Sequence, residues 1–108
     1  MKRVPVAIRR AWVPPGFAAW VPRARTIIVG RDVEVTERLL AHECAHVLQA
    51  ERYSWPSAYI WQWITTGFSY TRMPFEVEAR AAEKNVWYLA WARDLMKDLW
   101  ARGLLDAP

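Results

Sequence analysis

The side chains best suited to chemistry lie in one short segment of this sequence. Its only two histidines are His42 and His46, and Glu43 directly follows the first of them. In a helix, residues four positions apart project from one face about 6 Å apart. Two imidazoles at this spacing can each bring a nitrogen to about 2.0–2.1 Å from one zinc ion. The segment therefore has the HExxH spacing of a zinc site, in which Glu43 can take a proton from a metal-bound water.

The pattern is specific for a chain with so few histidines. In shuffled sequences of this composition, two histidines four apart with glutamate after the first would occur roughly once in a thousand. The alternative interpretation is that both histidines are ordinary polar members of an amphipathic helix.

We expect the motif to lie on a helix. Thr36 followed by Glu37 is typical of a capped helix start, so we predict a helix from there to about Arg52. Its core-facing stripe is apolar: Leu40, Cys44, Val47 and Leu48. The motif occupies a neighbouring face that borders the core, where a partly buried metal site needs its ligands.

Short extended pieces are predicted before this helix. Prolines interrupt the first 25 residues and favour short strands at Val4–Ile8 and Ala11–Val13. The β-branched run Thr26–Val29, ended by Gly30, is the best predicted strand. These segments predict a small antiparallel sheet on the N-terminal side.

Two more helices are predicted after the motif. One begins near Ser57 and ends before Gly67, and a long one runs from Phe75 to about Trp100. We therefore expect one α+β domain over residues 1–108, helix-dominated and built around two long helices.

A catalytic zinc usually has three protein ligands, so the motif needs one more donor. No third histidine exists, and the single cysteine, Cys44, is better explained as a small packing residue. The remaining candidates are acids. The strongest cluster of them is at 74–80, where Glu76 and Glu78 would lie in the first turns of the last helix.

The chain resembles the gluzincin group of metallopeptidases in two segments, HECAH at 42–46 and PFEVEA at 74–79. Its size is similar to that of the single-domain minigluzincins. The resemblance implies a zincin-like fold, Zn²⁺ as cofactor, Glu76 as the third ligand beside His42 and His46, and Glu43 as catalytic base. It also implies a strand beside the active helix that binds extended peptide by strand addition, a placement that Thr26–Val29 matches.

The chain departs from the family pattern at one position. Many gluzincins have an acid four residues after the ligand that supports a zinc histidine, whereas this chain has Arg80. Glu78 therefore stays open as an alternative ligand. Glu76 and Arg80 could also form only a surface ion pair, since they are spaced i, i+4.

The leading hypothesis is a zinc-dependent metallopeptidase acting on a peptide or protein substrate. Candidates for the oxyanion donor are Tyr53, Tyr59, Tyr70 and Arg72. The alternative hypothesis is a regulatory or interaction module, in which the metal is structural or activity is restricted to one partner protein.

Charge is unevenly distributed along the chain. Residues 1–38 hold eight Lys or Arg against three Asp or Glu, a net charge of +5, and the remainder is at −1. No motif specific for nucleic acid accompanies this charge, although Lys2, Arg3, Arg9 and Arg10 together with the tryptophans leave a membrane-surface role as a third hypothesis.

Two apolar segments of the sequence are candidates for a secretory signal and for a membrane span, and we expect neither. Arg9 and Arg10 interrupt the apolar stretch that a secretory signal would need. The longest uncharged stretch, Ser54 to Thr71, contains Pro56 and Gly67 and several hydroxyl residues, so we expect no transmembrane helix. We expect a cytoplasmic protein.

Overall fold

The computed structural model describes residues 2–103 and confirms the α+β class. Within that range the chain forms three strands followed by four α-helices and one short 3-10 turn at Tyr70–Arg72. The strands are β1 (Ala7–Arg10), β2 (Ala19–Arg23) and β3 (Thr26–Val29), and the helices are α1 (Glu37–Arg52), α2 (Ser57–Thr65), α3 (Pro74–Ala82) and α4 (Val86–Ala101).

The sheet is mixed, and not antiparallel as predicted. Strand β3 lies in the centre, antiparallel to β2 and parallel to β1. The chain reverses twice between β1 and β3, once through residues 11–18 and once at Ala24–Arg25, where Arg25 has a φ of 54°. Two reversals return β3 to the direction of β1, so the two strands pair in parallel.

Strand β2 was not predicted because it contains Pro22. A proline cannot donate to a ladder, but β2 lies at an edge of the sheet, where this is tolerated. The predicted strand at Ala11–Val13 is absent; those residues belong to the connection between β1 and β2. The predicted strand at Val4–Ile8 overlaps β1 in its last two residues.

Helix α1 is confirmed, with the predicted cap. The Thr36 side chain accepts a hydrogen bond from the backbone N–H of Leu39 at 3.1 Å, and the helix ends at Arg52. Its apolar stripe, which includes Leu40 and Cys44, is fully buried. Helix α1 packs against β2, α3 and α4, so it forms the centre of the molecule and holds the HExxH motif at the core boundary.

The single long helix predicted from Phe75 to Trp100 is wrong. Helix α3 ends at Ala82, and α4 starts at Val86 after Asn85, whose side-chain oxygen accepts from the N–H groups of Trp87 and Tyr88 at 2.9 and 3.3 Å. Asparagine favours this capping position over a helix interior because its side chain competes for backbone hydrogen bonds. The break lets α3 and α4 each pack against α1 on its own.

One cluster of buried side chains joins the sheet to α1, α3 and α4. Helix α2 contributes no buried residue to it. Across residues 2–103, no helix is both long and apolar enough to cross a bilayer.

Replacement of Asn85 with alanine tests the break between α3 and α4. We expect Asn85→Ala to lower the free energy of unfolding by about 1 kcal/mol, because two N–H groups lose their acceptor. Urea denaturation measures this, and Asn85→Asp, which keeps an accepting oxygen, is the control with near-normal stability. An alanine variant as stable as the parent would contradict the cap.

Candidate metal centre

Three side chains from two helices converge on one point. The Nε2 atoms of His42 and His46, one turn apart on α1, lie 3.0 and 3.1 Å from Oε1 of Glu76 in the first turn of α3. One potential ligand atom from each residue lies within 4.8 Å of the other two. Glu76 is only 1% exposed, so its carboxylate is directed into the protein and onto the two imidazoles.

The start of α3 is held by hydrogen bonds on two sides. The N–H of Phe75 donates to Oε1 of Gln62 on α2 at 2.7 Å, and its carbonyl accepts from Nε2 of Gln49 on α1 at 3.0 Å. Pro74 at the first helical position favours the helix start there. Glu76, the next residue after Phe75, is therefore positioned relative to both neighbouring helices.

Hydrogen bonding determines that Nδ1 of His46, the ring nitrogen that faces away from Glu76, carries a proton. The amide orientation of Gln49 follows from its bond to the Phe75 carbonyl, which can only accept, so its Oε1 faces Nδ1 of His46 at 2.8 Å. Nδ1 must then carry the proton. Its Nε2 faces the Glu76 carboxylate, and in the neutral ring the lone pair on this nitrogen would be available to a metal ion between the two groups.

The outer nitrogen of His42 is held in the same way by an acid. Its Nδ1 lies 2.8 Å from Oε2 of Glu83, at the C-terminal end of α3, and Arg38 donates to the other oxygen of that carboxylate at 3.2 Å. Glu83 is the acidic hydrogen-bond partner of His42 that is not found at position 80, where the chain has Arg80. This role of Glu83 was not predicted, although a residue seven positions after Glu76 lies two helical turns further on the same face.

The positions of Glu78 and Arg80 argue against the two alternatives that the sequence left open, namely Glu78 as the ligand and a surface ion pair between Glu76 and Arg80. Glu78 is exposed on α3. Arg80 donates to the carbonyl of Thr71 at 2.6 Å, while Glu76 is buried against the histidines, so the surface ion pair between Glu76 and Arg80 is not what holds Glu76. The second oxygen of Glu76 accepts from the Tyr59 hydroxyl of α2 at 2.6 Å.

Electrostatics within the metal-free cluster follow from one carboxylate facing two imidazoles. Burial alone would lower the pKa of His42, but the hydrogen bond to Glu76 and the charge of Glu43 outweigh it and raise that pKa to about 9. For His46 the same opposition also ends in a raised pKa. Burial would raise the pKa of Glu76, but its hydrogen bonds with the two histidines lower it far below the ordinary range.

The donor set fits a divalent metal ion. With both Nδ1 atoms protonated, two Nε2 lone pairs and a carboxylate oxygen would repel one another at 3.0–3.1 Å. The arrangement therefore needs either protons on both rings or a cation among the three atoms. Two imidazoles and one carboxylate, each with an outer hydrogen-bond partner, are a donor set that could hold such an ion.

Glu43 lies beside this cluster without being part of it. It is 4% exposed, and its Oε2 has no hydrogen-bond partner among residues 2–103. Burial raises its pKa. An unpartnered buried carboxylate oxygen costs free energy unless a further group binds there, so the position is suited to a water or substrate atom.

Two cavities meet at Glu43. A cavity of about 520 Å³ includes His42 and Glu83, and a second of about 660 Å³ includes His46 and Glu76. The second is a largely apolar groove with aromatic side chains along its walls: Trp20, Trp55, Tyr59, Trp63 and Tyr70. A chain segment crossing from one cavity to the other would pass the converging ligands.

The strand beside this groove is β2, which corrects the expectation for Thr26–Val29. That segment is β3, paired on both sides, so it has no free edge for strand addition. Strand β2 lies at the edge of the sheet and contributes Ala19, Trp20 and Val21 to the groove. The carbonyl of Val21 already accepts from the Trp55 indole at 2.7 Å.

Of the four candidate oxyanion donors, two lie near the cluster. Tyr70 lines both cavities and interacts with Glu76 and Tyr59, and the Tyr59 hydroxyl donates to Glu76. Tyr53 packs on Phe75 and Arg72 is exposed, and neither lines these cavities. Cys44 is fully buried in the core, as expected of a packing residue.

Comparisons with protein-family models, with curated proteins and with solved structures find no match.

Replacing Glu76 or Glu78 with glutamine tests which of the two acids binds the metal. We expect Glu76→Gln to weaken zinc binding by more than the roughly 10–100-fold that loss of an outer partner costs, because a ligand charge is removed. Competitive titration with a chromophoric chelator measures the affinity. Glu78→Gln, on the same helix but exposed, is the matched control. Equal affinities in both variants would reject Glu76 as ligand.

Removal of the Glu83 carboxylate tests the support of His42. We expect Glu83→Ala to weaken zinc binding about 10–100-fold while one zinc per chain still binds at saturation, since the three ligands remain. The same chelator titration measures it, with Glu78→Ala as control. An unchanged zinc affinity in Glu83→Ala would show that this hydrogen bond does not support the metal.

Proposed function

We propose that the protein is a zinc-dependent metallopeptidase of the gluzincin type. The observation that carries the proposal is the convergence of His42, His46 and Glu76 next to Glu43, where two cavities meet. Zinc held by these three residues would supply a Lewis acid that activates water at neutral pH and polarises a carbonyl.

Glu43 is proposed as the general base. Its Oε2 is buried, unpartnered within residues 2–103 and next to the ligand cluster, so it can accept the proton of the attacking water. The same carboxyl group can then donate that proton to the leaving amine. Because burial raises the pKa of Glu43, its protonated form is easier to reach during this transfer.

The substrate is proposed to be an extended peptide segment. Strand β2 offers a sheet edge beside the groove, and its backbone near Ala19 could pair with such a segment. Tyr70, present in both cavities, is the side chain best placed to donate to a carbonyl oxygen that gains charge. The peptide would lie with an apolar side chain toward the aromatic walls.

A catalytic role is favoured over a purely structural metal by the surroundings of the ligands. A structural zinc is usually enclosed by four protein ligands. Here three ligands converge among the described residues, and open cavities flank them on two sides. The cytoplasmic location stays a prediction from the sequence.

The test of the mechanism is Glu43→Gln assayed against a pool of denatured proteins and mixed peptides. We expect zinc binding to persist and hydrolysis to fall about 10²–10⁴-fold, because the glutamine cannot accept the proton. Activity should also be lost with a chelator and return with zinc.

Glu78→Gln, which removes the same charge from an exposed position, is the control and should keep its activity. Full hydrolysis by Glu43→Gln would contradict the mechanism. Tight zinc binding by the parent protein without hydrolysis of any substrate in the pool would favour the interaction module instead.

A further inference from the structure

Helix α2 directs polar side chains toward the protein and apolar side chains toward solvent, the reverse of a usual amphipathic surface helix. Two of its polar side chains face the protein: the Tyr59 hydroxyl donates to Glu76, and Gln62 accepts from the N–H of Phe75. Ile60, Trp61 and Ile64 are exposed instead, although a helix on the surface of a protein normally turns such residues inward. No residue of α2 is buried.

The exposed apolar side chains form one surface together with the turn that follows the helix. We call it the α2 surface, and it consists of Ile60, Trp61, Trp63, Ile64 and Phe68, each between 42 and 67% exposed. Trp63 and Phe68 contact each other edge to face, with ring centroids 4.9 Å apart. Neighbouring exposed residues of this size mark a surface that meets an apolar partner.

The charge pattern of the segment that carries the α2 surface indicates the partner. Between Arg52 and Arg72 the sequence contains no charged residue, and both of these arginines are exposed. An uncharged apolar segment that is flanked in the sequence by two exposed arginines, in a chain of net charge +4, complements a bilayer whose lipid headgroups are anionic. Tryptophan favours the same location, because its ring is apolar and its N–H is polar.

The size of α2 defines how it could bind. Nine residues of helix extend about 14 Å, less than half of the roughly 30 Å of a hydrocarbon core. The helix is therefore suited to lie in the plane of the interface. The basic first third of the chain, at +5, adds a longer-range attraction to an anionic surface.

We propose that the α2 surface docks the protein onto anionic lipid bilayers, with Ile60, Trp61, Ile64 and Phe68 in the interface and Arg52 and Arg72 at the headgroups. The proposal is independent of zinc binding and of peptidase activity. Ile60 and Trp63 also line the apolar groove, so the docked surface is continuous with the groove wall.

The experiment is co-sedimentation of the full chain with two kinds of vesicle, equimolar phosphatidylcholine–phosphatidylserine and phosphatidylcholine alone. We expect binding to the anionic vesicles that weakens with added salt, and weaker binding to the neutral ones. Trp61→Glu should lower the partition coefficient about tenfold or more, because a ring that would enter the bilayer interface is replaced by a charge.

Three further variants separate the contribution of the arginine from that of the tryptophan and provide a control. Arg72→Gln should lower binding to the anionic vesicles about fivefold and leave binding to the neutral ones unchanged. Val86→Glu is the matched control: Val86 is 81% exposed at the start of α4, outside the α2 surface, and its replacement should leave binding unchanged. Trp61→Ser serves as a second probe, with urea denaturation of every variant to verify folding.

Several results would overturn the proposal. One is parent protein that stays in the supernatant with both kinds of vesicle, and another is equal binding by the parent, Trp61→Glu and Trp61→Ser. A third is a lipid-free dimer, detected by light scattering, that Trp61→Glu dissociates while vesicle binding stays at the parent level. That result would identify a second copy of the chain as the partner of the α2 surface.

Discussion

The structure depends on one buried carboxylate. Glu76 is 1% exposed, and an ionised group at that depth is stable only when its oxygens are paired. Its Oε1 faces the two histidines of α1, and its Oε2 accepts from Tyr59 of α2. Three helices are therefore positioned around a single side chain, and the candidate metal centre is the point where they meet.

The same constraint accounts for the unusual exposure of α2. Tyr59 and Gln62 must face inward because one pairs with Glu76 and the other with the N–H of Phe75 at the start of α3. On a nine-residue helix this turns Ile60, Trp61 and Ile64 outward. One face of α2 thus holds the site through Tyr59 and Gln62, and the opposite face forms the apolar α2 surface.

Local parts of this architecture were predictable. The extent of α1 followed from the Thr36 cap and the apolar stripe, because caps and helical periodicity are properties of neighbouring residues. The break at Asn85 was missed because the residues on both sides favour helix and only the cap interrupts them. Strand β2 was missed since Pro22 argues against a strand unless that strand is known to lie at an edge.

By itself, the sequence determined that two imidazoles and the Glu43 carboxylate share one region of a helix, because spacing along α1 sets which side chains are neighbours. Only the tertiary structure decided that Glu76 and not Glu78 faces them, and that Glu83 supports His42 in place of an acid at position 80. These choices depend on how α3 is rotated against α1. That rotation is set by contacts between residues some thirty positions apart, which local spacing does not contain.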